Sequence, residues 1–166
     1  MGDDRLLTRR NALIAATIGC AALGATGADA GPDSSSGPED ALRAFLRAFE
    51  NCDMAAMEAA FAADATSFDR APREPGDLSL YRRKPGMPAG MRQIALTLPK
   101  TRPGPPYQHF EPRDLATIRD GNLAIVSFEL DGPDNLGRRT VVLSRRAGRW
   151  LIVHLHASNI YGPIAG

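Results

Sequence analysis

Residues 138–158, RRTVVLSRRAGRWLIVHLHAS, constrain the fold of this chain more than any other stretch. β-Branched and bulky apolar residues alternate through it and break at Arg146-Ala147-Gly148. They resume as Trp150-Leu151-Ile152-Val153-His154-Leu155, the pattern of two long antiparallel strands joined by a tight turn. Strict alternation puts Leu151, Val153, Leu155 and Ala157 on one face, and Trp150, Ile152, His154, His156 and Ser158 on the other. Neither face is plainly polar. Each therefore needs a cover: helices on one side, and another subunit or a pocket wall on the other. Trp150, Ile152, His154, His156 and Ser158 form the expected subunit interface of a homodimer or larger ring, because an apolar patch of that size is seldom left in water.

A chain of 166 residues, 43% hydrophobic and 23% charged, suits one globular domain with a core of its own. Twenty Lys and Arg against nineteen Asp and Glu leave a formal charge of +1, with no aromatics interleaved in a basic stripe. That balance argues against nucleic acid as a partner. Arg82-Arg83-Lys84, Arg138-Arg139 and Arg145-Arg146 each sit beside an expected turn and read as solvated turn charges.

The first thirty residues read as a signal peptide. Arg5, Arg9 and Arg10 precede a short apolar run over residues 12–23, and Ala28-Asp29-Ala30 supplies a small-x-small cleavage pattern. The order Thr8-Arg9-Arg10-Asn11-Ala12-Leu13-Ile14 resembles a twin-arginine export signal, although adjacent arginines also occur in Sec signals. Cys20 after Thr17-Ile18-Gly19 is a poorer fit to a lipoprotein box. The expectation is a periplasmic or secreted mature chain from Gly31. The apolar run falls short of the ~20 residues a membrane span needs. Cys52 is then the sole cysteine of the mature chain, which excludes an internal disulfide.

Residues 31–38, GPDSSSGP, read as a flexible linker. Leu42, Phe45, Leu46 and Phe49 then recur with helical spacing behind Pro38, Glu39 and Asp40, which marks an amphipathic helix. Asp53 is placed to cap a second, shorter helix with the stripe Met54, Met57 and Phe61. Residues 65–69 become extended, and a Pro- and Gly-rich segment occupies residues 70–86. Met87, Met91, Ile94, Ala95 and Leu98 make a third helical stripe stopped at Pro99. Strands are expected over residues 107–119, 122–131, 139–146 and 150–159. Helices first and strands later give an α+β fold, in the order α-α-β-α-β-β-β-β, with an antiparallel sheet over a domain of residues 39–160 and a short tail at 161–166.

Phe61-Ala62-Ala63-Asp64-Ala65-Thr66 after a helix ending in Asn51-Cys52-Asp53, and Gly148-Arg149-Trp150 running into His154-Leu155-His156-Ala157-Ser158, resemble the SnoaL-like branch of the nuclear-transport-factor-2-like superfamily. The closing His-x-His-x-Ser is also similar to the association domain of calcium/calmodulin-dependent protein kinase II. The resemblance implies a cone, in which a strongly curved antiparallel sheet wraps a long N-terminal helix and leaves a pocket at the open end. It implies no cofactor. It does not fix the function, because this scaffold hosts isomerases, cyclases, dehydratases and assembly domains.

The resemblance places Asp69 where similar ketosteroid isomerases carry a general base that removes a proton next to a carbonyl. Those enzymes stabilise the oxyanion with a helix Tyr and a protonated Asp, positions held here by Phe45 and by Thr140 or Val141. Losing one such donor costs roughly 3 to 4 kcal/mol of transition-state stabilisation. A SnoaL-type cyclase acting on an already acidic substrate survives that loss better. The competing role for Asp69 is to end a strand and cap the following turn, and Asp64 reads as a cap after the second helix. Two functions stay open. In one the cone binds, and by proton transfer through Asp69 transforms, a small, mostly apolar molecule walled by Phe45, Phe49, Phe68, Tyr81, Tyr107, Phe128, Val141 and Leu155. In the other it is a non-catalytic association module. That module's pocket arginines match Val141 and Ala157 here, which speaks against an acidic ligand bound in its manner. His109, His154 and His156 have the residue types of a zinc site, but no Asp or Glu adjoins the His-x-His pair in sequence, and no metal is expected.

Overall fold

The structure, a computed structural model, describes residues 37–69 and 84–162. The expected signal peptide, nearly all of the linker, Tyr81 and the last residues of the tail lie outside the described residues. Helix α1, Pro38–Glu50, starts as its sequence dictates. Pro38 takes a first-turn position, Glu39 and Asp40 sit at the positive end of the helix dipole, and the Asp40 carboxylate accepts the Gly37 N–H at 2.9 Å. Its stripe Leu42, Phe45, Leu46 and Phe49 is buried. Cys52 reverses the chain with φ 55°, and Asp53 caps α2, Met54–Ala59, by accepting the Ala56 N–H at 3.1 Å.

Several boundaries differ from the sequence expectation. Strand β1, Phe61–Phe68, begins four residues before the extended segment expected at Ala65, so Phe61 leaves the α2 stripe. The Ile152 amide bonds the Ala60 carbonyl at 2.8 Å and draws the chain into the sheet at that point. Helix α3, Ala89–Thr101, runs through Pro99 instead of stopping there. Pro99 falls in the last turn, where a single missing donor is tolerated, and Arg102 N–H still reaches the Leu98 carbonyl at 3.0 Å. Strand β2 is Arg113–Asp120, six residues later than expected. The segment before it serves the end of α1: Tyr107 N–H donates to Glu50 O at 2.8 Å and Gln108 Nε2 to Phe49 O at 3.1 Å. Those contacts satisfy helix carbonyls that have no partner within the helix.

Strands β3, Leu123–Asp131, β4, Asn135–Arg146, and β5, Arg149–Tyr161, complete an unclosed, curved sheet in the order β1-β5-β4-β3-β2. The element order is the expected one, and the α+β class holds. Strands β2 to β5 pair antiparallel, whereas β1 joins β5 in parallel. One face of the sheet is packed by α1. Its rows are Val126, Val141 and Leu155, and Ala124, Leu143 and Ile152, all nearly solvent-free.

The expected faces of β5 are corrected by a β-bulge. Val142 pairs with His154, but the next residue of β4, Leu143, pairs with Ile152, so Val153 is the extra residue. The β1–β5 register slips over the same stretch, between Phe61 opposite Ile152 and Thr66 opposite His154. One extra residue reverses the alternation. Trp150 and Ile152 therefore share the packed face with Leu155 and Ala157, at 7% and 1% exposure, and do not share a face with His154 and His156. As interface residues they are overturned; they are core. The Arg119 guanidinium closes over the Trp150 ring at 5.1 Å.

Asp64 is likewise not a helix-end cap. It lies within β1 and pairs with Arg146 at 2.6 and 3.2 Å. That hydrogen bond holds the Asp64 carboxyl below its ordinary value, though both groups are open to solvent and the pair adds little stability.

The β4–β5 connection has two residues, Ala147 and Gly148, with φ 48° and 82°, which is the geometry of a type I′ turn. Ala147 occupies a left-handed conformation that Asn tolerates better. Ala147→Asn should stabilise the domain by about 0.5 to 1 kcal/mol in urea denaturation, and a loss of stability would contradict the turn type.

Candidate functional site

A cleft of about 690 Å³ opens at the end of the sheet where β2 and β4 begin and β3 ends. Its volume lies within the range of small-molecule sites. Arg113 comes from the start of β2, Leu130 and Asp131 from the end of β3, and Gly132, Pro133 and Asn135 from the β3–β4 turn. Arg139 is on β4, Arg102 follows α3, and Gln108, His109, Phe110 and Glu111 come from the segment braced against α1.

Arg139 is the residue the sequence reading missed. It was expected among solvated turn charges, because the strand was expected to start there. Strand β4 starts at Asn135 instead, and Arg139 pairs with Phe128 and Ala157 and shares the packed face of Val141 and Leu143. Its Nη1 donates to Ser158 O at 2.9 Å and to Asn159 Oδ1 at 3.3 Å, which fixes the half-buried guanidinium. Gly137 makes room for it: a methyl group there would stand 2.9 to 3.1 Å from the guanidinium. The parity with Val141 and Leu143 was visible in the sequence and would have placed Arg139 on the inner face. Arg113 pairs with Asp131 and is held more basic by that hydrogen bond first and by its charge second. Arg102 Nη1 reaches Tyr107 O at 3.4 Å.

On the α1 side, Glu50 is mostly buried, with a side chain 15% exposed. Its Oε1 accepts the Phe110 N–H at 2.6 Å and stands 3.3 Å from His109 Nδ1. Phe110 packs its ring 5.1 Å from that of Phe49 and gives the cleft an aromatic floor beside Leu130.

None of the expected pocket walls among the described residues lines this cleft. Phe45, Phe49, Phe128, Val141 and Leu155 come together, but as packed core beneath the cleft. Phe68 belongs to the opposite face of the sheet, where it is 56% exposed and meets the rings of His154 and His156 at 5.8 and 6.3 Å. Tyr107 is half-buried and contributes its backbone to the α1 end. Asp69 is exposed and does not line the cleft; its carboxylate lies against Gly90, in the first turn of α3, closer than a methyl group there would allow. A carboxylate at that end of a helix is favoured by the dipole.

His154 Nδ1 bonds Thr66 Oγ1 at 2.7 Å on the outer face, far in topology from His109 in the cleft. Among the described residues no group of three or more His, Cys, Asp or Glu is placed to hold a metal ion. Burial pushes the Cys52 thiol up, away from the thiolate a nucleophile needs. No described helix is long and apolar enough to cross a membrane.

A family model of the SnoaL-like domain matches residues 39–162, and the chain belongs to that family, within the NTF2-like superfamily. Solved structures share its fold. A cystatin-like fold protein from Burkholderia xenovorans LB400 is 23% identical, with a TM-score of 0.54 over 80% of this chain and 95% of its own. A candidate dehydratase from the NTF2-like family of Streptomyces avermitilis is 22% identical, with a TM-score of 0.55 over 75% of this chain and 94% of its own. An NTF2-like protein of unknown function from Pseudomonas putida KT2440 is 22% identical, with a TM-score of 0.53 over 72% and 82%. No curated protein is significantly similar to the chain.

Proposed function

We propose that this SnoaL-like domain binds a small carboxylate with an apolar body in the cleft at the end of its sheet. The observation that carries the reading is that Arg102, Arg113 and Arg139 line one cleft with Phe110 and Leu130, three guanidinium-bearing residues against the two carboxylates of Glu111 and Asp131. Guanidinium forks match carboxylates in shape and charge, and Phe110 and Leu130 reward an apolar body. The sequence expectation of a mostly apolar ligand is thereby revised toward an acidic one. Phenylacetate should bind in ligand-observed NMR, and 2-phenylethanol and phenethylammonium should not. Arg139→Met should weaken phenylacetate at least tenfold, in keeping with the roughly 1.5 to 3 kcal/mol of a hydrogen bond to a charged group. Equal binding of all three probes, or an unchanged affinity in Arg139→Met, would remove the proposal.

Self-association is a second reading, favoured by the outer face of the sheet. There Ile118 pairs with Ile125 and Leu123 is exposed, and the same face carries Phe68, His154, His156, Ser158 and Ile160. The chain should run as a dimer or larger species in light scattering at micromolar concentration. Ile125→Asp should convert it to a monomer without unfolding it, and a wild-type monomer at that concentration would dismiss the reading. Export of the domain, by a signal peptide over residues 1–30, stays a proposal on the sequence pattern alone, testable by mass analysis for a mature start at Gly31.

A further inference from the structure

We infer that Asp131 is a specificity-determining residue of this cleft: by occupying Arg113 it sets the cleft to take ligands with one negative charge and to turn away dianions such as phosphate monoesters. The inference rests on the carboxylate-binding reading above and adds the charge of the ligand to it. Arg102, Arg113 and Arg139 line the cleft together with the carboxylates of Glu111 and Asp131, which leaves a single positive charge when His109 is neutral. A monoanion matches that balance. A dianion exceeds it and is repelled by both wall carboxylates, so the cleft discriminates by an unfavourable contact as well as by a favourable one.

The backbone puts Asp131 in reach of Arg113. Strands β2 and β3 pair Arg113 with Glu129, and the register slips between Arg113 and Ala116, where Asp114 takes φ 49°. Such an irregularity re-aims the side chains beside it. Asp131 lies two residues beyond Glu129 and so on the same side of the strand, where its Oδ2 accepts from Arg113 Nη1. The Gly132 N–H bonds Asn135 O at 2.9 Å and fixes the strand end that carries Asp131. Arg113 is held above its ordinary basicity by Asp131 first, through the hydrogen bond and then the charge, and less strongly by Asp114 and Glu111, against a lowering by desolvation. Its charge is therefore largely answered from within the protein. Arg102 donates to a neutral acceptor, Tyr107 O, at 3.4 Å, a contact that leaves its charge uncancelled. Asp131→Asn keeps the shape of the side chain, releases Arg113 and raises the balance of the cleft to two positive charges, the complement of a dianion. The Arg113 and Asp131 side chains are 64% and 41% exposed, so the ion pair adds little to stability and the variant should fold.

The test is calorimetric titration of the full chain with phenylacetate, phenylmethanesulfonate and phenyl phosphate, in low salt, where exposed charges are least screened. At about pH 7.5 the phosphate, with a second pKa near 6, is a dianion, whereas the sulfonate is tetrahedral like the phosphate but carries one charge. Wild type should bind the two monoanions within about fivefold of each other and phenyl phosphate at least about tenfold more weakly than phenylacetate. Asp131→Asn should raise the affinity for phenyl phosphate relative to phenylacetate by about tenfold or more, and adding Arg113→Met to it should abolish that gain. A merely structural Asp131 would lower all three affinities together and leave their ratio where it was. Should the variants fail to fold, the comparison of sulfonate with phosphate on wild type still decides the matter. The inference falls, and the binding reading survives, if wild type binds phenylacetate but takes phenyl phosphate as tightly or rejects the sulfonate along with it. An unchanged ratio in Asp131→Asn, or a gain that persists with Arg113→Met, has the same consequence. A wild type that binds none of the three would overturn both.

Discussion

Ile152→Asp should unfold the domain, with a stability loss of more than about 4 kcal/mol. Ile152 is 1% exposed, pairs with Leu143 across the ladder, and is among the largest fully buried side chains. Truncating such a residue costs about 2 to 5 kcal/mol, and a carboxylate left in its place adds a desolvation penalty with no partner to offset it. His156→Asp, four residues along on the exposed face, should cost less than about 1 kcal/mol in the monomer. Strict alternation predicts like outcomes for the two variants, because it puts both positions on one surface. Circular dichroism and urea denaturation of the two variants therefore test the bulge at Val153 directly. A folded Ile152→Asp chain with near wild-type stability would return Ile152 to the surface and remove the bulge.

The bulge also shows which part of the fold could be read from residues and which could not. The helix stripe Leu42, Phe45, Leu46 and Phe49, the Asp53 cap and the Ala147-Gly148 turn are local signals, carried by spacing and by one residue's backbone preference, and they stand where expected. The phase of β5 is not local in that sense. Trp150-Leu151-Ile152-Val153 holds four apolar residues in a row, so the stretch satisfies either phase. Read from the turn, it points Trp150 and Ile152 inward; read back from Leu155 and Ala157, it points Val153 inward. The two readings conflict unless an extra residue lies between them, and that conflict was the available sign of a bulge.

The cleft was less legible still. Its parts come from four separate segments, and none carries a motif. Arg139 could have been placed by parity with Val141 and Leu143 once β4 was extended back to Asn135. The approach of Glu50 to His109 depends on residues 107–110 bracing the end of α1, a long-range contact that no periodicity encodes. Family membership does not supply it, because SnoaL-like folds share a scaffold and not a site chemistry.

Phe45→Ala should cost about 3 to 5 kcal/mol and leave phenylacetate affinity unchanged. The sequence reading set Phe45 in a pocket wall, where truncation would merely enlarge a hydrated space and cost much less. In the structure its ring is 3% exposed, meets Phe61 edge-on at 5.4 Å and lies 6.1 Å from Phe49. Removing it leaves a cavity between α1 and β1 that the surrounding aromatics can only partly close. With a total of roughly 5 to 15 kcal/mol for a domain of this kind, that loss takes up about a fifth or more of the stability. Phe110→Ala gives the converse. Phe110 is half-buried at the cleft floor, so its truncation should cost less stability than Phe45→Ala and weaken phenylacetate severalfold. Measured together at a temperature where both variants are folded, the pair separates core from site: affinity lost in Phe45→Ala and kept in Phe110→Ala would move the binding site down into the sheet's packed face, among Phe128, Val141 and Leu155.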